Sequence, residues 1–166
     1  MSVVKAYQDF NDPHADESID AIDICTPTRT HLRMTKPALA SGKHVICEKP
    51  IARNVADAKE LVEAAEQAKG HFMVGMCLRF WPQWAWLKEA VDSGRYGKVQ
   101  AAHFQRIAEP PAWGQAIYFD GETSGGALFD LHVHDTDFVQ HVFGRPKSVY
   151  STGFTKLGRA SCRERV

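Results

Sequence analysis

Neither sign of charge is in surplus in this chain. Its 166 residues carry 20 Lys and Arg against 20 Asp and Glu, for a formal charge of zero. That balance gives no support to nucleic-acid or anionic-membrane binding, which show as a basic excess. Cysteine is scarce, and Cys25, Cys47, Cys77 and Cys162 have no C-x-x-C spacing. A zinc site or a disulfide framework is therefore the minority reading. The first three cysteines each end a predicted apolar strand and read as buried free thiols, which fits a reducing cytoplasm. No apolar run approaches the roughly 18 residues that a membrane span needs. Met1–Phe10 carries no signal-peptide pattern, and no repeat or low-complexity tract stands out. The G-x-G-x-x-G turn that cradles a pyrophosphate between a strand and a helix is also absent.

What is present is ordinary globular material, 44% hydrophobic and 24% charged, near the size of one domain. Val3–Tyr7 is a candidate short strand. Ile19–Cys25 is a clearer one, stopped by Thr26-Pro27. Thr28 or Thr30 can cap a helix running to Ala40, which Pro37 should kink or shorten. Lys43–Cys47 is the next strand. Asn54 and Asp57 have cap spacing, and Val55, Ala58, Leu61, Val62, Ala65 and Ala68 repeat on one face, so a helix over Asn54–Lys69 is predicted. His71–Leu78 alternates as another strand. Strand–helix–strand–helix–strand with short loops implies a parallel sheet packed by helices.

After Leu78 the texture changes. Trp81, Trp84, Trp86 and Trp113 crowd together, and the first three read as core or interface more than as a sugar platform. Pro82–Ser93 reads as a helix, Lys98–Ile107 as a strand, Glu109–Ser124 as loop, Gly126–Phe143 as a last helix, and Ser148–Phe154 as a strand. The expected organisation is a partial α/β domain over 1–78 and part of a second α/β domain over 79–157. The stretch 158–166 has no apolar periodicity and reads as a non-native or disordered tail.

Two regions carry chemistry. Glu48-Lys49-Pro50 follows the apolar run Val45-Ile46-Cys47, so Lys49 lies at the carboxyl end of a parallel strand, where α/β sheets place their ligands. In the last helix, Asp130, His134, Asp137 and His141 fall within roughly 60° on the helical wheel, beside an apolar stripe of Leu128, Leu131, Phe138 and Val142. His134 is the best general base on offer, since imidazole titrates near neutrality. Asp130 can orient that ring or stabilise its cation. Lys49 can donate to a substrate oxygen and stabilise developing alkoxide charge. A solvated polar stripe is the plainer alternative. The string Asp130, His132, His134, Asp135, Asp137 looks ligand-rich, but His132 and Asp135 point away from the stripe in an unbroken helix, so no metal ligands are assigned. Gly125-Gly126 lets the backbone approach a ligand or simply makes a turn. Arg79 is a cofactor or substrate contact or an ordinary ion-pair arginine. His31 faces a cofactor or supports the start of its helix.

Four stretches together resemble the Gfo/Idh/MocA family of NAD(P)-dependent oxidoreductases: IDAIDICTPTRTH (19–31), GKHVICEKP (42–50), RFWP (79–82) and SGGALFDLHVHDTD (124–137). The second is the most specific, and the resemblance covers about residues 3 to 155. It implies an incomplete Rossmann-like parallel sheet followed by part of an open-sheet substrate domain. It implies Lys49, Asp130 and His134 as the catalytic group, with Thr26, Pro27, His31, Glu48, Lys49 and Arg79 on the cofactor side. The cofactor is NAD or NADP. The implied substrate is a small sugar, polyol or related compound, with no nucleic-acid or membrane partner and a homo-oligomeric, cytoplasmic parent. The chain departs from the family in lacking the opening strand, glycine-rich turn and ribose-binding acid, and His132 stands where the family has glycine. It therefore reads as an internal fragment of a protein about twice as long, itself inactive. A non-catalytic binding or sensor relative and a metal-assisted isomerase or lyase are the competing readings.

Overall fold

The computed structural model describes residues 5–106, 120 and 124–152. Three strands, β1 (Ala21–Ile24), β2 (His44–Cys47) and β3 (Phe72–Val74), form one sheet in the order β1-β2-β3. Both pairings are parallel, with Ala21 opposite His44 and Val45 opposite Phe72. Parallel neighbours need crossovers, and two helices supply them. A short helix α1 (Asp12–Ala15) precedes β1, α2 (His31–Ala40) joins β1 to β2, and α3 (Val55–Gln67) joins β2 to β3. This is the expected Rossmann-like arrangement.

The alternation of side chains decides which face is covered. In β2, Val45 and Cys47 are buried while His44 and Ile46 are exposed. The buried face packs Ile24, Val45 and Cys47 against Ala38 and Leu39 of α2, with Ile22, Met34, Ala64, Ala65, Ala68 and Phe72 around them. The α3 start is sealed by Asn54, whose side-chain oxygen accepts from the Asp57 N–H at 2.8 Å. Gly70 is required where the chain leaves α3, because a Cβ there would lie 2.0 Å from the Lys43 carbonyl oxygen. Pro37 does not end α2, which runs three residues further to Ala40. It sits in the last turn, where little helix remains to be disturbed.

β3 is shorter than the predicted His71–Leu78. The Met76 N–H bonds to the Val74 carbonyl and Cys77 to Gly75, so the backbone turns back on itself. A 3-10 turn over Cys77–Phe80 follows, and then helix α4 (Pro82–Asp92), with Pro82 in its first turn. The last helix is two helices, α5 (Gly126–Asp130) and α6 (His132–Phe143), separated at Leu131. Phe138 of α6 is fully buried and meets Trp84 of α4 edge-on at 4.6 Å, with Phe104 stacked on Trp84 at 6.0 Å. Trp84 is thus half-buried against the core residue Phe138, whereas Trp81 and Trp86 are half exposed.

Several expectations fail. Lys98–Arg106 and 148–152 are not strands, and neither is Lys5–Tyr7. A strand exists only as one side of a ladder, and among the described residues none of these segments has a ladder partner. Val3, Val4, Ile107, Trp113, Phe154 and the 158–166 tail lie outside the described residues. The thiols of Cys25, Cys47 and Cys77 are free, but only Cys47 is buried. Among the described residues no helix is long and apolar enough to cross a membrane.

Candidate active site

The carboxyl edge of the sheet gathers the first part of the site. β1 ends into Thr26-Pro27 and β2 into Glu48-Lys49. Thr26 is half-buried, with its hydroxyl 2.7 Å from that of Thr30, and Pro27 is exposed. Glu48 is also exposed, and its carboxylate accepts from the Lys49 N–H at 3.1 Å. Lys49 turns toward the second half of the chain. Its ammonium donates to the Asp130 carboxylate at 3.0 Å and to the Asp130 backbone carbonyl at 2.7 Å, across 81 residues of sequence.

The helix break makes that second contact available. Leu131 has φ −102° and ψ −53°, and the His134 N–H bonds to the Leu131 carbonyl at 3.3 Å rather than a full turn back. The Asp130 carbonyl at the end of α5 is thereby left to the lysine, and a cation at a helix C-terminus is favourable. Gly125 and Gly126, both at positive φ, form the turn into α5. The buried Ser124 hydroxyl accepts from the Gly126 N–H and donates to the Asp120 carbonyl. The glycine pair is a turn built into the entry of the helix.

His134 is half-buried beside this pair. Its Nδ1 is enclosed and has no hydrogen-bond partner. Burial, and then the Lys49 and Arg106 cations, hold its pKa below the ordinary imidazole range against the opposing pull of Asp135 and Asp130. The balance of these influences favours the neutral form of the ring. No hydrogen bond joins Asp130 to the ring, because one Asp130 oxygen is engaged by Lys49; of its two expected roles, the Asp130 charge still favours the ring's cation.

The rest of the acidic string is divided among cations. Arg79 grips Asp137 through Nε at 2.8 Å and Nη2 at 2.5 Å. Of the two readings of Arg79, the ion-pair arginine is the arrangement observed. Arg106 grips Asp135 in the same forked way, at 2.9 and 2.8 Å. Asp135 is buried, and the Arg106 bonds hold its carboxyl below the usual carboxylate range. Among the described residues, no three His, Cys, Asp or Glu side chains converge as a metal site. Sequence reasoning missed the Arg106–Asp135 pair. It had only the direction of Asp135, away from the 130/134/137 stripe. His31, placed on the cofactor side by the resemblance, is wholly buried with both ring nitrogens against backbone carbonyls. It does not face the cleft.

A parallel strand–helix sheet with a lysine at its carboxyl edge, meeting a carboxylate and an imidazole from two later helices, is the layout of a nucleotide-binding α/β oxidoreductase. Two family models match: "Oxidoreductase family, NAD-binding Rossmann fold" over residues 2–76, and "GFO/IDH/MocA C-terminal domain" over 84–163. The chain belongs to the Gfo/Idh/MocA family. It is 33% identical over 155 residues to myo-inositol 2-dehydrogenase of Thermotoga maritima, covering 92% of this chain and 45% of that protein. It is 34% identical to D-glucoside 3-dehydrogenase of Escherichia coli, covering 86% and 42%. Levoglucosan dehydrogenase in complex with NADH and levoglucosan superposes with a TM-score of 0.73 at 28% identity, covering 83% of this chain and 38% of that one. The chain therefore spans less than half the length of these relatives.

The residues present fit one end of a dinucleotide. Exposed Pro27 and Glu48 and half-buried Thr26 line the strand ends beside Lys49, which is where this class of sheet receives the reactive ring. A pyrophosphate cradle is not among them, since the glycine-rich turn is missing from the sequence.

Proposed function

We propose that a protein of the relatives' full length carrying this chain transfers hydride between NAD(P) and a secondary alcohol of a sugar, polyol or related compound. The observation that carries this reading is the meeting of Lys49 with Asp130, at 3.0 Å, next to the half-buried His134, whose pKa burial and the Lys49 cation hold below the ordinary imidazole range. When bound, the dinucleotide supplies the hydride-accepting carbon; Thr26, Pro27, Glu48 and Lys49 would hold its nicotinamide end. His134 takes the hydroxyl proton of the substrate as general base. Lys49 stabilises the oxygen as charge develops on it. Asp130 holds the lysine ammonium in place through two acceptors on one residue. With the proton leaving the hydroxyl oxygen and the hydride leaving the carbon that bears it, the alcohol becomes a carbonyl.

The division into a nucleotide half over 1–78 and a substrate half over 79–157 belongs to the same reading, as do a homo-oligomeric state and a cytoplasmic location. The test is a screen of inositols, glucosides and anhydrosugars with NAD and with NADP, following reduced nicotinamide by absorbance. Lys49→Ala and His134→Ala should each lower kcat by about 10²-fold or more while the protein stays folded. Near-normal turnover in both variants would refute the assignment.

A further inference from the structure

His31 opens α2, is fully buried, and touches neither Lys49 nor the cleft directly. Its Nδ1 lies 2.9 Å from the Pro50 carbonyl oxygen, and its Nε2 lies 2.8 Å from the Thr26 carbonyl oxygen. Those two acceptors belong to different loops. One leaves β1; the other leaves β2 immediately after Lys49. The β1–β2 ladder ends with the Glu48 N–H on the Ile24 carbonyl at 3.0 Å, so beyond that bond the loops need another tie. A carbonyl oxygen can only accept, so the ring donates through whichever nitrogen carries a proton, and a neutral ring bonds one loop while packing against the other. Pro50 is itself buried and has no N–H to offer, which leaves its carbonyl as the backbone handle next to Lys49.

We infer that His31 is the positioning residue for Lys49. It cross-ties the Thr26-Pro27 turn to the Lys49-Pro50 segment and so fixes the backbone from which the lysine reaches Asp130. The lysine stem is long and has several rotatable bonds. The ammonium can meet Asp130 reproducibly only if its backbone origin is held. This rests on the catalytic reading of Lys49 for its consequence, though the tie itself does not.

The test separates the two. In the chain as it stands, brief acetic anhydride labelling followed by peptide mass spectrometry measures each lysine's accessibility. In His31→Gln, Lys49 should label several-fold faster, while Lys59 and Lys88 keep their native rates. An unchanged Lys49 rate in a folded His31→Gln chain overturns the inference. Should that variant unfold, the native chain decides: long-range ¹H–¹⁵N spectra must show a slowly exchanging hydrogen on a ring nitrogen of His31, and a ring whose hydrogens all exchange freely overturns the tie. In the full-length enzyme, His31→Gln should lower kcat on the order of ten- to a hundredfold. That loss should vanish in a Lys49→Ala background, and equal loss in both backgrounds contradicts action through Lys49. If Lys49→Ala alone is harmless, the catalytic reading falls, while the labelling and the spectra still judge the tie.

Discussion

Replacing Arg106 by Met should destabilise the chain far more than the same change at Arg79, although both arginines hold an aspartate of α6 in a forked pair. The difference lies in what is left behind. Asp135 has a side chain only 6% exposed, and without Arg106 its carboxylate loses both forked bonds, at 2.9 and 2.8 Å. Breaking a fully buried pair from one side costs about 3–5 kcal/mol. The Arg106 side chain is 31% exposed, so solvent screening brings the expected cost to about 2 kcal/mol. Arg79 is 40% exposed and Asp137 13%, which puts that pair nearer the surface value of about 0–1 kcal/mol. Urea unfolding of the two variants, compared at unchanged m, reads the difference as a shift in midpoint. The pH dependence supplies a second check. Arg106 depresses the folded pKa of Asp135, so its stabilisation is present above the ordinary aspartate value and is lost as pH falls through the folded one. The gap between native and Arg106→Met should therefore narrow on acidification. Equal costs at the two arginines, or a gap indifferent to pH, would refute the reasoning.

Asn54→Ala removes the side-chain acceptor that caps α3 and should cost about 1 kcal/mol by thermal or urea unfolding. A neutral result would mean that the cap adds nothing. Phe138→Ala empties a fully buried position under Trp84 and Phe104 and should cost about 3–5 kcal/mol, with a change in tryptophan emission. Asp16 accepts from Lys5, Ser18 and Tyr7, and those bonds hold its carboxyl far below the usual range. Asp16→Asn should thus be less stable than native at neutral pH, and the two unfolding curves should converge as pH drops below the ordinary aspartate range.

The first half of the fold was legible because local rules agreed there. Ile19–Cys25 and Lys43–Cys47 are short apolar runs between turn residues, and Asn54 with Asp57 marks a helix start that the Asn54–Asp57 bond bears out. The second half was legible only in its helices. Lys98–Arg106 has the composition of a strand, but pairing is a property of two segments, and a sequence window sees one. The break at Leu131 has no glycine or proline to announce it. It is tied to a contact made from 81 residues away, the Lys49 ammonium on the Asp130 carbonyl. The same separation explains the misjudged partners. Wheel geometry put Asp130 on one face with His134, whereas the Lys49 cation from the loop after β2 reaches it. His31 was placed by resemblance to a motif, and the burial of its ring could not be read from its spacing. Lys49 was nameable because strand-end position acts locally, while the Asp130–His134 spacing assumed one continuous helix that the break at Leu131 divides.

The most direct test follows the imidazole resonances of His134 through a pH titration of the native chain and of Lys49→Met. The ring should titrate below the ordinary imidazole range in the native chain. It should move upward in Lys49→Met, where the ammonium is gone and the Asp130 carboxylate is freed beside it. Identical midpoints in the two proteins would mean that Lys49 and His134 do not share one site.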